Sequence, residues 1–381
     1  MPEQLHPPHH KGHFNINYEK DLNSSQMEAV TSLNGPMLVI AGAGSGKTRT
    51  LTYRVARLVE KGISPAAILL LTFTRKASFE MLSRATKLLD SRCERVSGGT
   101  FHSFSNFMLR KYAPSLGFDK KYTILDRVDA ESLIGMLRKE LKPASKHRSF
   151  PRKRTLINIF SRAVNKVIAI EDVIYNDYPH FLPYLEDILN LSVEYKNRKL
   201  IHNFLDYDDL LVSFDLLLKN HTDIRDKISS LYKYIMVDEY QDTNQIQASI
   251  LYSLTSKNKN VMVVGDDSQS IYAFRGANFK NIIDFPTLFP ETKIINLEEN
   301  YRSVQTILDL TNVIIDRAAE KFSKKLFTRK TGGVTPVLAC AQSENSQSMF
   351  IVDKIRDLSI SGVPLNRIAV LFRAGFHSFD L

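Results

Sequence analysis

Apolar and polar residues alternate in blocks rather than residue by residue. MLVIA (37–41) and ILLLTF (68–73) are continuous apolar runs of strand length. Each precedes a segment with helical spacing: RTLTYRVARLVEKG, closed by Gly62, and a stretch from about Arg75 to Leu89. A short helix is predicted over SSQMEAVTSL ahead of the first strand. Strands that are apolar throughout predict a parallel sheet covered on both faces. From about Tyr112 to Phe204 the pattern changes to polar, helix-like segments without clear strands, which predicts a helical insertion. Strand-like runs return at YIMVDE (234–239), NVMVVGD (260–266), KIINL (293–297), PVLA (336–339) and IAVLFR (368–373). The stretch from Leu297 to Thr335 is helical, then Lys- and Gly-rich, and is expected to cross into a second domain. A sheet begun there is cut short at Leu381, so the chain reads as a fragment.

Composition narrows the class. Hydrophobic residues make up 43% and charged residues 24% of 381, ordinary globular usage that rules out wholesale disorder. No apolar run approaches the roughly 18–20 residues of a spanning helix. The N-terminus MPEQLHPPHHKGH lacks the apolar core of a secretory signal, so a cytoplasmic protein is expected. Residues 1–17 read as a solvated tail, with a metal-binding His cluster as the alternative. Two distant cysteines, Cys93 and Cys340, exclude a disulfide scaffold and a CxxC metal site. The net charge of +10 is the footprint expected of a polyanion binder. Ten Lys/Arg against one acid lie between Arg138 and Lys166, with Arg152, Lys153 and Arg154 the first candidates for contact.

AGAGSGKT (41–48) follows an apolar strand and opens a helix, the context of a phosphate-binding loop. Ala41, Gly42, Ala43, Gly44, Ser45 and Gly46 are small, so successive backbone N–H groups can curl around phosphates at a helix N-terminus. Lys47 can reach the β/γ-phosphates and the Thr48 hydroxyl can ligate Mg²⁺. Ala41 stands where the strict pattern has Gly. YIMVDE ends an apolar strand on Asp238 and Glu239, placing Asp238 to hold Mg²⁺ and Glu239 to deprotonate an attacking water. The chemistry implied is nucleoside triphosphate hydrolysis.

The ordered blocks LNSSQMEAV (22–30), AGAGSGKTRTL (41–51), LLLTFTRKASFEM (69–81), GTFHSF (99–104), DYDDLL (206–211), VDEYQDTN (237–244), VGDDSQSIYAFRGA (264–277) and LEENYRS (297–303) resemble the UvrD/Rep/PcrA-type branch of superfamily 1 DNA helicases. The resemblance covers nearly the whole chain after residue ~20 and implies an α/β fold: a RecA-like P-loop NTPase domain with a parallel sheet and a helical insertion, plus the start of a second RecA-like domain. The domains implied are a first motor domain at 18–111 and 205–296, a basic, DNA-facing insertion at 112–204, and an incomplete second motor domain at 297–381. The implied function is ATP-dependent 3′→5′ translocation on single-stranded DNA and at single-strand/duplex junctions, in repair or replication, with ATP and Mg²⁺ as cofactors.

The resemblance also implies roles. Gln26 matches the residue that reads the adenine edge, while Arg49 and Tyr301 bracket the base. Gln269 matches the γ-phosphate sensor, and Arg302 an arginine finger. Phe73, Tyr272 and Phe274 match residues that stack on bases, and Thr72, Thr100 and His102 match phosphate contacts. Arg75 stands where the family commonly has Asn, and Phe274 where it more often has Trp; Arg275 is a further cation there. Two alternatives stay open: a helicase subunit of a RecB/AddA-type helicase–nuclease, and a nucleotide- and DNA-binding module without unwinding. Residues 1–381 alone are expected to bind ATP weakly, hydrolyse it poorly and not unwind.

Overall fold

The structure is a computed structural model that describes residues 16–141, 150–273 and 276–381. Most of the predicted tail, Lys142, Lys146 and Arg148 of the basic stretch, and Phe274 and Arg275 lie outside the described residues.

Eight strands occur among the described residues: β1 (Met37–Ala41), β2 (Ile68–Leu71), β3 (Ser97–Gly99), β4 (Thr123–Ile124), β5 (Phe204–Leu205), β6 (Tyr234–Val237), β7 (Val261–Gly265) and β8 (Lys293–Leu297). Six of them form one sheet in the order β3-β2-β6-β7-β1-β8, and every pairing in it is parallel. Period-two geometry sends the β1 side chains to two separate cores. Leu38 and Ile40 join one cluster, whereas Met37, Val39 and Ala41 join the other. Both faces are therefore buried, which is why these strands are apolar at every position.

The first helices are α1 (Tyr18–Asp21), α2 (Ser24–Thr31), α3 (Lys47–Glu60), α4 (Arg75–Leu88) and α5 (Phe101–Tyr112). Helices α2 to α4 cover one face of the sheet. Between β4 and β5 lie α6 (Arg127–Glu140), α7 (Lys153–Lys166), α8 (Ile170–Asp177) and α9 (Leu185–Ile201), a helical insertion between two short strands. It has its own core, built from Ile134, Leu156, Phe160, Ile174 and Leu191 among others. After β5 come α10 (Tyr207–Asn220), α11 (Thr222–Leu231), α12 (Gln245–Leu254), α13 (Lys280–Ile283), α14 (Phe285–Leu288), α15 (Gln305–Asp316) and α16 (Glu344–Ile360). Helices α5 and α10 to α12 cover the other face of the sheet. No helix among the described residues is long and apolar enough to cross a membrane.

The chain forms two compact units, the larger ending at Thr331 and the smaller spanning Gly332–Leu381. Within the smaller unit α16 forms, but the predicted strands at 336–339 and 368–373 do not. Val337 and Leu371 are 85% and 93% exposed. A strand exists only through hydrogen bonds to a neighbouring strand, and these runs have none among the described residues. The opposite difference is β3, whose SGG sequence carries no strand signal; pairing of Leu69 with Ser97 and Leu71 with Gly99 makes it the sheet's edge.

Buried Arg54 ties the helix after the phosphate loop to the end of α2. Its Nη1 donates to the carbonyls of Ala29 and Ser32, both at 2.6 Å, and its Nη2 to that of Leu33 at 3.0 Å. Burial lowers its pKa to about 10. Arg54→Met strips donors from three carbonyls at once, so a loss of roughly 2–5 kcal/mol is expected in urea unfolding.

Candidate nucleotide and nucleic-acid site

Gly42, Thr72, Thr100, Asp238 and Asp266 directly follow the C-terminal ends of β1, β2, β3, β6 and β7, so parallel strands bring their loops to one end of the sheet. After β1 the backbone turns through Gly42–Gly46 and becomes helical at Lys47. Gly44 (φ 75) and Gly46 (φ 88) take the left-handed conformation that side chains disfavour. Gly46 caps α3 without a side-chain bond, leaving the helix's first N–H groups directed out of the loop. Ser45 closes the turn, its Oγ donating to the Gly42 carbonyl at 2.8 Å.

The glycines serve a second purpose. A Cβ on Gly42 would lie 2.5 Å from Leu326 Cδ2, and one on Gly44 2.6 Å from Arg302 Cβ. The segment after β8 thus rests on the loop. The Tyr301 N–H donates to the Gly44 carbonyl at 2.9 Å, and the Asn300 amide donates to the Ala43 carbonyl. Arg302 is nevertheless an exposed residue.

Lys47 reaches across β7 and pairs with Glu239, Nζ to Oε2 at 2.9 Å. Glu239 sits in the left-handed region (φ 51), a strained conformation for a side-chain-bearing residue. Gln241 Nε2 donates to the same carboxylate at 2.7 Å, and its Oε1 accepts from the Asp266 N–H at 3.0 Å. Gln269 Nε2 donates to Asp266 Oδ2 at 2.5 Å. Buried Lys324 pairs with Asp266 and, at 2.5 Å, with Asp267. One hydrogen-bonded chain therefore runs from the loop lysine to Gln269 and on to Lys324.

Asp238 converges on the same point, and the charge of Lys47 acts on it. Burial, and then the neighbouring Glu239, push its carboxyl up to about 7; the same two causes raise Asp242 to about 6. The Oδ1 atoms of both are buried without a hydrogen-bond partner. Such an orphaned oxygen is what a hard cation satisfies, directly or through water. Among the described residues no cluster of three or more His, Cys, Asp or Glu forms a metal cage. Asp238 with Thr48, on the first turn of α3, fits an ion that takes its other ligands from phosphates and water.

At the outer end of the loop, Gln26 is 1% exposed. Its Nε2 donates to the Ser45 carbonyl at 3.0 Å and its Oε1 accepts from the Asn23 N–H at 3.2 Å, leaving one amide proton and one lone pair. The Tyr301 hydroxyl accepts from Asn23 Nδ2 at 2.9 Å and donates to Glu299. Arg49 faces Asp21 at 3.7 Å and lies close enough for its charge to act on the Tyr301 phenol.

A cleft of about 1140 Å³ runs between the sheet edge and the insertion. Asp238, Glu239 and Asp242 line it, together with Thr72, Phe73, Thr100, His102 and Tyr272. The insertion adds Arg127, Arg154 and Arg162. Phe73 and Tyr272 lie ring to ring, centroids 4.9 Å apart and tilted by 36°, and Phe73 is 41% exposed. Thr72 is buried and its hydroxyl donates to the Thr74 carbonyl at 2.8 Å. Thr100 caps α5 through Ser103 N. Burial lowers the pKa of His102, favouring a neutral ring. Arg75 opens α4 in an exposed position outside the cleft lining, as are Arg152 and Lys153. The sequence reading missed Gln241, Asn300 and Lys324. Gln241 and Asn300 stand inside blocks already quoted, but their partners are remote in sequence; Lys324 is one lysine in a Lys-rich stretch.

The UvrD/REP helicase N-terminal domain family model matches residues 22–290, and the UvrD-like helicase C-terminal domain model matches 295–381. The chain is 36% identical over 362 residues to a protein of Staphylococcus epidermidis named ATP-dependent DNA helicase PcrA, covering 94% of this chain and 49% of that protein. A Staphylococcus aureus protein of the same name is 36% identical over 359 residues, covering 94% and 48%. The chain thus spans about half the length of the curated relatives it matches.

Asp238 gives the fold a pH signature. With its pKa raised to about 7 from 3.8, the folded chain keeps a proton that the unfolded chain has released. Stability therefore falls as pH rises between about 4 and about 7. In EDTA, Asp238→Asn is expected to be more stable than the parent by roughly 1–3 kcal/mol at about pH 8, with the gap closing towards about pH 4. Parallel urea curves at both pH values check this; a gap independent of pH refutes it.

Proposed function

The chain belongs to the UvrD/REP helicase family, and from that premise we propose that it is the ATP-hydrolysing part of a motor that moves 3′→5′ along single-stranded DNA and works at single-strand/duplex junctions. The observation that carries the reading is the shared cleft: the carboxylates facing the phosphate loop and the aromatic and hydroxyl candidates for a DNA strand line one space. The names of the relatives, ATP-dependent DNA helicases, support ATP as the nucleotide.

Triphosphate binding exchanges the partner of Lys47. Its ammonium leaves Glu239 for the β/γ-phosphates, which lie over the N–H groups of Gly44–Thr48. Glu239, relieved of its counter-ion and still held by Gln241, accepts the proton of the attacking water. The bond between the γ-phosphorus and its bridging oxygen breaks, giving ADP and inorganic phosphate. Thr48 and Asp238 would hold a Mg²⁺, whose charge would neutralise that of the phosphates. Gln26 holds the adenine edge, with Arg49 and Tyr301 on either side of the base. Gln269 meets the γ-phosphate and Arg302 stabilises charge on the transferring group.

On the DNA side, Phe73 and Tyr272 offer ring faces to bases of any sequence, and Arg154 and Arg162 offer cations to the backbone. Thr100 and His102, which line the same cleft, contact the phosphates of that strand, and Thr72 acts by shaping the turn that presents Phe73.

In the full-length protein Lys47→Ala is expected to abolish ATP hydrolysis stimulated by an oligonucleotide. Glu239→Gln is expected to keep ATP affinity while slowing turnover by roughly 10²–10⁴-fold. A stimulated rate unchanged in Lys47→Ala places the phosphates elsewhere. Tyr272→Ala is expected to weaken single-stranded DNA binding by roughly 10- to 100-fold while sparing ATP binding in the absence of DNA. Fluorescence anisotropy with a labelled oligonucleotide separates the two, and equal loss of both makes Tyr272 a structural residue.

A further inference from the structure

Helix α7 has two faces. Leu156, Ile157, Ile159, Phe160 and Ala163 are buried in the insertion's own core. Arg154, Asn158, Ser161, Arg162 and Asn165, at helical spacing, line the cleft. The last of these is where the stripe meets the motor. Asn165 Nδ2 donates to Asp208 Oδ1 at 2.7 Å, and its Oδ1 accepts from Asn244 Nδ2 at 2.6 Å. A Cβ on Gly276 would lie 2.6 Å from Asn165 Cβ, so a third segment closes on the same residue.

Asn244 caps α12 and ends the loop that begins with Asp238, Glu239 and Gln241. That loop is braced from the other side by Asn281, whose Nδ2 donates to the carbonyls of Thr243 and Asn244, both at 3.0 Å. An amide is suited to the position of Asn165: it must give a proton to a carboxylate and take one from an NH₂ group at once. A carboxylate there would face Asp208 with like charge, and an alanine would lose both bonds. Val167, two residues on, ends α7 in the left-handed region (φ 53), so tertiary contacts rather than local preference set where the helix ends.

We propose that Asn165 is a positioning residue that couples occupancy of the cleft by a single strand to hydrolysis at Glu239. This rests on the reading of the cleft and of Glu239 given above. Phosphates drawn to Arg154 and Arg162 displace α7 along its polar face, and Asn165 passes the displacement to Asn244 and the loop holding Glu239 and Gln241.

The test compares ATP hydrolysis by the full-length protein and its Asn165→Ala variant, with and without an oligothymidylate, alongside anisotropy of the labelled oligonucleotide. Because Asn165 lines the cleft, oligonucleotide affinity is read separately by the anisotropy; stimulation at saturating oligonucleotide, taken relative to the variant's own basal rate, is expected to fall by about 5- to 50-fold. Asn244→Ser keeps a capping side chain but loses the amide donor; it is expected to lose stimulation likewise, and the double variant to be no worse than either single one. Asn244→Ser is read alone if Asn165→Ala does not fold. Stimulation retained in the variants, or basal and stimulated rates falling in proportion, overturns the proposal. A parent protein that binds the oligonucleotide without stimulation overturns the underlying reading of the cleft, and the coupling with it.

Discussion

An ammonium group held at the meeting point of a glycine loop and two carboxylates is the constraint on which this molecule is built. Lys47 is largely withdrawn from water, and a buried cation requires a counter-charge. Glu239 supplies it from a strand two places away in the sheet, so the phosphate loop and the carboxylates are coupled before any ligand arrives. Gln241, Asp266, Gln269 and Lys324 extend that coupling as hydrogen bonds whose donors and acceptors are matched along the chain of contacts.

The glycines of the loop answer two demands at once. Left-handed backbone at Gly44 and Gly46 turns the chain into α3, while missing Cβ atoms at Gly42 and Gly44 let Leu326 and Arg302 pack against the loop. A methyl group at Gly44 would push back the segment that carries Asn300 and Arg302, and one at Gly42 the side chain of Leu326. The carboxyls of Asp238 and Asp242 are left under-satisfied in the same place, an arrangement that costs the empty fold stability and favours a cationic ligand.

The insertion is a folded body in its own right, with a core separate from those on the sheet. Besides the ion pairs of Lys199 with Asp206 and Asp209, it meets the larger body at Asn165, where two bonds tie one helix to two separate segments. Val164 of the same helix packs against the apolar core of the sheet, and the amide-to-amide and amide-to-carboxylate bonds beside it fix the register of that contact.

How much could be read from the chain differs by residue. Uniformly apolar strands need burial on two faces whatever their neighbours, so β1, β2, β6, β7 and β8 and the parallel α/β class followed from sequence alone. Spacing and chemistry likewise marked Lys47, Asp238 and Glu239, because a phosphate loop and an acidic strand end carry local signatures. Strand pairing is not local: β3 is a strand because β2 lies beside it, and the apolar runs at 336–339 and 368–373 are not strands because no strand among the described residues pairs with them. The same holds for Gln241, Asn300, Lys324 and Asn165. An amide or an ammonium has no meaning in isolation, and only the three-dimensional course of the chain decided which distant carbonyl, carboxylate or amide each would meet.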